Sequence, residues 1–241
     1  MHELFLTRIF NDNLAGIGNA ALGLVGRPHV DRPWDNFTVM EILTVVIILF
    51  LVLIVRSGLS VDKPGKLQHL FEVLYNFLKD TAEEVGIHHG SKMVPYFGLL
   101  FILILTANLI GLIPGLESPT MGTAMPLGCA LATFAYYNFM GLKTAGPVGY
   151  IKHFFGPVWW LAPLMFPIEI VSHLARPMSL TIRLYANMFA GEQVTVAFLE
   201  LTKIIVPVVF MGLHIFVAFL QAYIFTLMTM IYVSGAVESE H

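Results

Sequence analysis

The sequence predicts an all-α polytopic membrane protein: about five transmembrane helices, one amphipathic interfacial helix, and a final hairpin of two long tilted helices. Three observations carry this prediction. Of 241 residues, 57% are hydrophobic. Only 12% are charged, about half the soluble norm and too few to wet a globular surface of this size. The apolar residues also fall in runs near the roughly 20 residues that a helix needs to cross a bilayer. Mean hydropathy is +0.78. The same composition excludes a disordered chain, which needs low hydrophobicity and high net charge. A pI near 6.3 and a net charge of −3 give no basic footprint for nucleic acid. A single cysteine, Cys129, excludes an internal disulfide and a cysteine-based metal site.

Residues 1–36 read as an extracytoplasmic lead. Glu3 and Asp12 stand where a signal peptide would be basic, and Asn and Gly interrupt the apolar stretch. A short interfacial helix ending at the Pro28 and Pro33 turns fits this segment. Residues 37–241 form a single membrane domain. Its first span, about 37–56, is stopped by Arg56, Ser57 and Gly58. In the segment about 64–85, Leu67, Leu70, Phe71, Leu74, Phe77 and Leu78 recur at helical spacing, an amphipathic helix at the membrane surface or against a partner. The second span, about 95–115, ends at Pro114-Gly115. A turn with Glu117 and Pro119 leads to the third, about 122–141. A polar connection with Lys143, Gly146, Pro147, Lys152 and His153 follows. The segments about 157–200 and 204–235, separated by a break near Glu200–Lys203, are too long for upright crossings and predict the tilted hairpin.

Orientation follows the loop lysines and arginines. Arg56, Lys63, Lys66, Lys79 and Lys92 lie in one connection, and Lys143 and Lys152 in another on the same side. The turn at 115–121 has none and that at 200–204 only Lys203, although the lead carries Arg8, Arg27 and Arg32. With five crossings, the N-terminus is then outside and the tail ESEH inside. No internal repeat of an inverted-repeat transporter is visible.

The fourth span, FPIEIVSHLARPMSLTIRLYANMFAGEQV, carries residues that do not belong in lipid. Glu169, Arg176 and Arg183 follow one another at intervals of seven, two helical turns, so they share nearly one face with Ser172, Ser179 and Asn187. Each intramembrane charge costs about 2.5–3.5 kcal/mol on insertion scales, so such residues face a bundle interior or water and are functional candidates by default. Arg176, before Pro177, also reads as an interfacial anchor, and Glu169 as a charge at a wet boundary. Arg183, mid-span, has no such simple reading. Glu169 is about 21 Å away along a straight helix and Glu192 about half a turn round. The partner of Arg183 is then on another helix or another chain. The other intramembrane candidates weighed are Gln and His, so a carboxylate on another subunit is inferred.

The last helix supplies His214 and Gln221, seven apart on one face with Ala218 between them. In an antiparallel hairpin Gln221 lies level with Arg183, and His214 with Glu192. Glu169, His173 and Arg176 fall at the other depth. Glu and His exchange protons near neutral pH once burial has shifted them, whereas Arg does not. Two half-pathways separated by a fixed cation require a moving carrier.

The stretch PIEIVSHLARPMSLTIRLYANMFAGE, residues 167–192, resembles the signature helix of the F-type ATP synthase subunit a family. Residues 95–120 and LQAYIFTLMTMIYVS, 220–234, add to the resemblance, which runs from about residue 37 to the C-terminus. It implies that Arg183 is the family's essential arginine, attracting the deprotonated carboxylate of a rotating c-ring and blocking direct leak. It implies that Asn187 and Gln221 are polar neighbours of that arginine, that Glu192 and His214 belong to an outer half-channel, and that Glu169 and Ser179 belong to an inner one. Arg176 lies where some members also carry a basic residue. The implied partners are the c-ring, peripheral-stalk subunit b and the bilayer. The chain is expected to be non-catalytic, with no cofactor, metal, nucleic acid or bound nucleotide, since no phosphate loop is present. A secondary cation transporter would need an acidic mid-membrane site and usually a repeat. An intramembrane hydrolase would need HExxH or GxSxG, and neither occurs. His88-His89 lacks metal-ligand spacing and reads as loop.

Overall fold

The computed structural model describes residues 3–24, 26, 28–60, 65–87, 92–113, 115–154, 160, 162–201 and 205–237. Lys63, His88-His89, Lys203 and the ESEH tail lie outside the described residues. Seven α-helices and no strand occur among those described: α1 (Phe5–Leu24), α2 (Asn36–Ser57), α3 (Lys66–Glu84), α4 (Val94–Ile110), α5 (Ala124–Phe154), α6 (Ala162–Leu201) and α7 (Ile205–Val237). Asn36–Ser57 and Val208–Val237 are long and apolar enough to cross a bilayer, and Val94–Ile110 is a shorter apolar helix. The outer faces are apolar too. Leu49, Phe50 and Leu53 of α2, Phe139 of α5, Leu174 and Met178 of α6 and Val208 and Phe216 of α7 are all exposed. In water such a surface would aggregate; in lipid it is the solvated surface.

The core lies where α4, α5, α6 and α7 meet. Leu180, Leu184 and Met188 recur every fourth residue of α6 and bury one stripe in a core shared with Tyr137 of α5, Phe225 and Met230 of α7 and, across α7, Phe97 and Ile104 of α4. Ala218 and Ala222 are fully buried on α7, where small side chains let neighbouring helices approach. Helix α3 buries Leu78 and Ala82 against this core and leaves Leu67, Leu70, Val73 and Phe77 exposed. The Ser234 hydroxyl donates to the Val85 carbonyl, 2.7 Å, and fastens the end of α7 to the end of α3.

The lead is more ordered than a short interfacial segment. Helix α1 runs for 20 residues and doubles back onto the strand-like stretch before α2. Asn11 and Trp34 exchange two hydrogen bonds, 3.0 and 3.1 Å, and Asn19 and Val30 two more at 3.0 Å. Arg32 pairs with Glu3.

Helix α5 adds to the sequence reading. The stretch over 142–156 expected as a polar connection is itself largely helical to Phe154, but it holds a sharp break at Gly146, where two helical pieces meet. Gly146 has φ 68° and ψ 166°, a conformation open in practice only to glycine. On an unbroken helix Asn138 and Tyr150 would stand about 18 Å apart. The bend brings them into a 2.6 Å hydrogen bond.

Helix α6 is 40 residues long, about 60 Å of axis. Pro167 and Pro177 lie inside it. Neither stops the helix, and the Thr181 hydroxyl donates back to the Pro177 carbonyl at 2.8 Å, which keeps this polar side chain satisfied within its own helix.

Candidate functional site

The polar residues of α6 separate into two groups along its axis, with Arg183 between them. At one end, Glu169 Oε1 lies 3.4 Å from His173 Nδ1 and 4.0 Å from Arg176 Nη2. Successive members of the three are one helical turn apart in sequence, so α6 alone brings them together. The Arg176 guanidinium is 5.7 Å from the Tyr137 ring centre and 5.1 Å from that of Tyr232, cation–π distances that hold it inside the bundle. Tyr150 closes the cluster, its hydroxyl 3.3 Å from His173 Nε2.

Toward the other end, Asn187 Nδ2 donates to Gln221 Oε1 at 2.9 Å. Gln221 is buried, and its Nε2 has no hydrogen-bond partner among the described residues. The bond sets the hairpin register. Gln221 lies opposite Asn187, one turn beyond Arg183, where counting from the turn had put it level with Arg183 itself. His214 lies opposite Gly191. A Cβ at Gly191 would meet the ring at 3.2 Å from its Cε1 and 3.5 Å from Nδ1, so any other residue there would push the imidazole away by a few tenths of an ångström. Gly191, Asn187, Thr195 and His214 line a cavity of about 200 Å³ between the two helices. Glu192, half-buried, is the next residue along.

Arg183 is half-buried at mid-helix and makes no ion pair with a carboxylate among the described residues. Ser179, Ala186, Asn187 and Ala190 around it are exposed. An arginine ringed by small exposed residues leaves room for another helix to approach closely. Ser179 opens onto this face and is not drawn into the Glu169 cluster.

Several polar residues join these groups that the sequence reading passed over. Ser118 donates to the Ala107 carbonyl at 3.0 Å and lies 2.7 Å from the Thr120 hydroxyl. Thr120 donates to Asn108 Oδ1 at 2.7 Å, and Asn108 Nδ2 reaches the Ala218 carbonyl at 3.5 Å. This buried chain runs from the 111–123 connection to the face of α7 that carries His214 and Gln221. Glu117 lies near enough to Glu192 for their charges to repel. Glu41, an acid inside α2, has its Oε1 buried without a partner and makes no ion pair with Arg183.

Burial, the larger cause, and the charge of Asp35 hold the Glu117 carboxyl above the ordinary carboxylate range, opposed by a hydrogen bond with Asn36. The folded state thus prefers the neutral acid. The contribution of this group to stability is greatest at low pH and declines as pH climbs past the unfolded value of about 4.3 toward the raised one. Glu117→Gln should flatten that decline and raise the thermal midpoint at neutral pH, as measured on the detergent-purified subunit at pH values of about 4 and 7.

An arginine that pairs with no acid among the described residues, set along an apolar helix between two groups of titratable and amide side chains, fits a membrane subunit that handles ions. The family described as ATP synthase A chain matches residues 38–234, and the chain belongs to it. It is similar to the ATP synthase subunit a of Solibacter usitatus (strain Ellin6076), 59% identical over 233 residues, 97% of this chain and all of the relative. It is 48% identical to that of Koribacter versatilis (strain Ellin345) over 242 residues, 100% of this chain and 99% of the relative. To that of Nitratidesulfovibrio vulgaris (strain DP4) it is 42% identical over 243 residues, 100% and 97% of the two chains. The chain is therefore a polytopic membrane-sector subunit of a proton-translocating ATP synthase.

Proposed function

We propose that this chain is the non-catalytic stator of the rotary motor, offering two offset half-channels to the carboxylates of a c-ring. A proton enters from outside past His214 and Glu192, with Glu117 and the Asn108–Thr120–Ser118 chain at the mouth. It neutralises a ring carboxylate, which can then face lipid. After almost a full turn the carboxylate meets Glu169, His173 and Ser179 on the inner side and releases its proton. Arg183 holds the resulting anion, and its permanent charge keeps protons from passing directly between the halves. Asn187 and Gln221 steady the adjoining backbone, and Arg176 keeps the inner cluster electropositive. The chain sits in a bacterial inner membrane with its N-terminus outside and its C-terminus in the cytoplasm, beside peripheral-stalk subunit b.

The observation that carries this reading is Arg183, without an ion pair among the described residues, on an exposed, small-residue face. An isolated buried charge is retained only where a counter-charge reaches it. The ring contact is tested by a cysteine at Ala186, one turn from Arg183. It should form a disulfide with a cysteine placed one turn from the membrane carboxylate of a ring subunit, and oxidation should stop ATP-driven rotation. Failure to cross-link at Ala186, with efficient cross-linking from the opposite face of α6, would remove the ring from this face.

A further inference from the structure

We propose that Tyr150 is a positioning residue of the inner half-channel: with Asn138 it fixes which nitrogen of His173 faces Glu169. This rests on the reading of Glu169 as the inner carboxylate and adds a chain of hydrogen bonds whose direction is determined. Asn138 Nδ2 donates to the Phe134 carbonyl at 2.6 Å, and a carbonyl can only accept. The Asn138 amide is therefore oriented with Oδ1 toward Tyr150, and the Tyr150 hydroxyl donates to it at 2.6 Å. With its hydrogen committed, the phenol oxygen accepts from His173 Nε2 at 3.3 Å. The ring hydrogen of neutral His173 is held on Nε2, and the Nδ1 lone pair faces Glu169 Oε1 at 3.4 Å.

The position of Tyr150 is built, not incidental. Its ring lies so close to Gly141 that a Cβ there would come within 2.5 Å of Cε2. The bend at Gly146 carries it back to that place. Tyr150 and His173 are both buried, at 7% and 8% exposure, so water does not compete freely for either group. The charged and titratable groups around His173 are Glu169 and Arg176 of α6, Tyr137 and Tyr150 of α5, and Tyr232 of α7 beyond the guanidinium.

The consequence is a shared proton site. Without a proton, the Glu169 carboxylate and the Nδ1 lone pair are two acceptors opposed. One proton between them removes that repulsion. It arrives on the carboxyl and moves to Nδ1, an O–H bond breaking as an N–H bond forms, leaving a carboxylate and an imidazolium. Arg176 stays charged throughout and limits how tightly the pair holds its proton.

Tyr150→Phe tests this, because the ring still fills its place against Gly141 and only the hydroxyl is lost. The His173 hydrogen is then free to move to Nδ1 and donate to Glu169, which stabilises the proton-free pair. In the holoenzyme reconstituted into liposomes, ATP-driven pumping by Tyr150→Phe should show its dependence on pH at the ATP side shifted toward acid by roughly half to one unit, the size of one hydrogen bond. In a His173→Gln background the same substitution should produce no further shift. An unshifted profile, or a shift that persists without His173, overturns the proposal. Glu169→Gln, measured alongside, separates this inference from its foundation. If it leaves pumping unchanged, the inner half-channel reading itself fails. If it impairs pumping while Tyr150→Phe matches wild type, only the role of Tyr150 falls.

Discussion

Arg183→Ala should abolish proton-driven ATP synthesis while the subunit still assembles. The side chain has no ion pair with a described carboxylate, so folding loses little when it is truncated. What is lost is the hold on an arriving anion. Two unit charges about 4 Å apart at an effective dielectric near 20 attract by about 4 kcal/mol, close to a thousandfold in occupancy. Synthesis should fall to background, and passive proton leak through the membrane sector should rise, because no fixed charge separates the two halves. Arg183→Lys should retain part of the barrier to leak but little coupling, since an ammonium lacks the planar fork that grips a carboxylate. The measurement is ATP synthesis and passive proton flux in vesicles carrying equal amounts of assembled complex. Wild-type synthesis in Arg183→Ala would sink the mechanism.

Gly191→Val should be nearly as damaging, by a steric route. Its Cβ alone meets His214 at 3.2 Å, and the two methyls have only the 200 Å³ cavity beside the ring to enter. The imidazole is displaced and the cavity beside it narrowed, which crowds the space a proton-carrying water would use. Proton-driven synthesis should drop by at least about tenfold, with Gly191→Ala milder, and passive leak should not rise because Arg183 is untouched. That combination, low synthesis with low leak, distinguishes a blocked outer path from a lost barrier. Rates near wild type in Gly191→Val would show that protons do not pass His214.

The stripe on α6 was legible because its signal is a repeat of charge where charge is costly. Intervals of seven among Glu169, Arg176 and Arg183 need no tertiary structure to interpret. The helices were legible from apolar runs, and the amphipathic α3 from its period. The inner tyrosine was not. Gly146 and Pro147 among lysines read as a break in the chain, but only the backbone shows that a second helical piece follows it and returns Tyr150 to Asn138. Asn108, Ser118 and Thr120 escaped for another reason. Neutral polar side chains cost less to bury than charges, so they leave no anomaly in composition, and their connection spans helices far apart in sequence. Hairpin register lay within one turn of the reading, the limit of counting residues from a turn.

Helix α6 is about 60 Å long in a membrane whose hydrocarbon is about 30 Å thick. Its run parallel to the bilayer is therefore of the same order as its climb through it. Residues spaced along such a helix differ in azimuth around a neighbouring rotor as well as in altitude. On the proposed function, Glu169 and Glu192, 23 positions apart, would then serve different angular stations of a circling site. An inclined helix would convert a vertical gradient into a sequence of sideways encounters and so give a rotor its sense of direction.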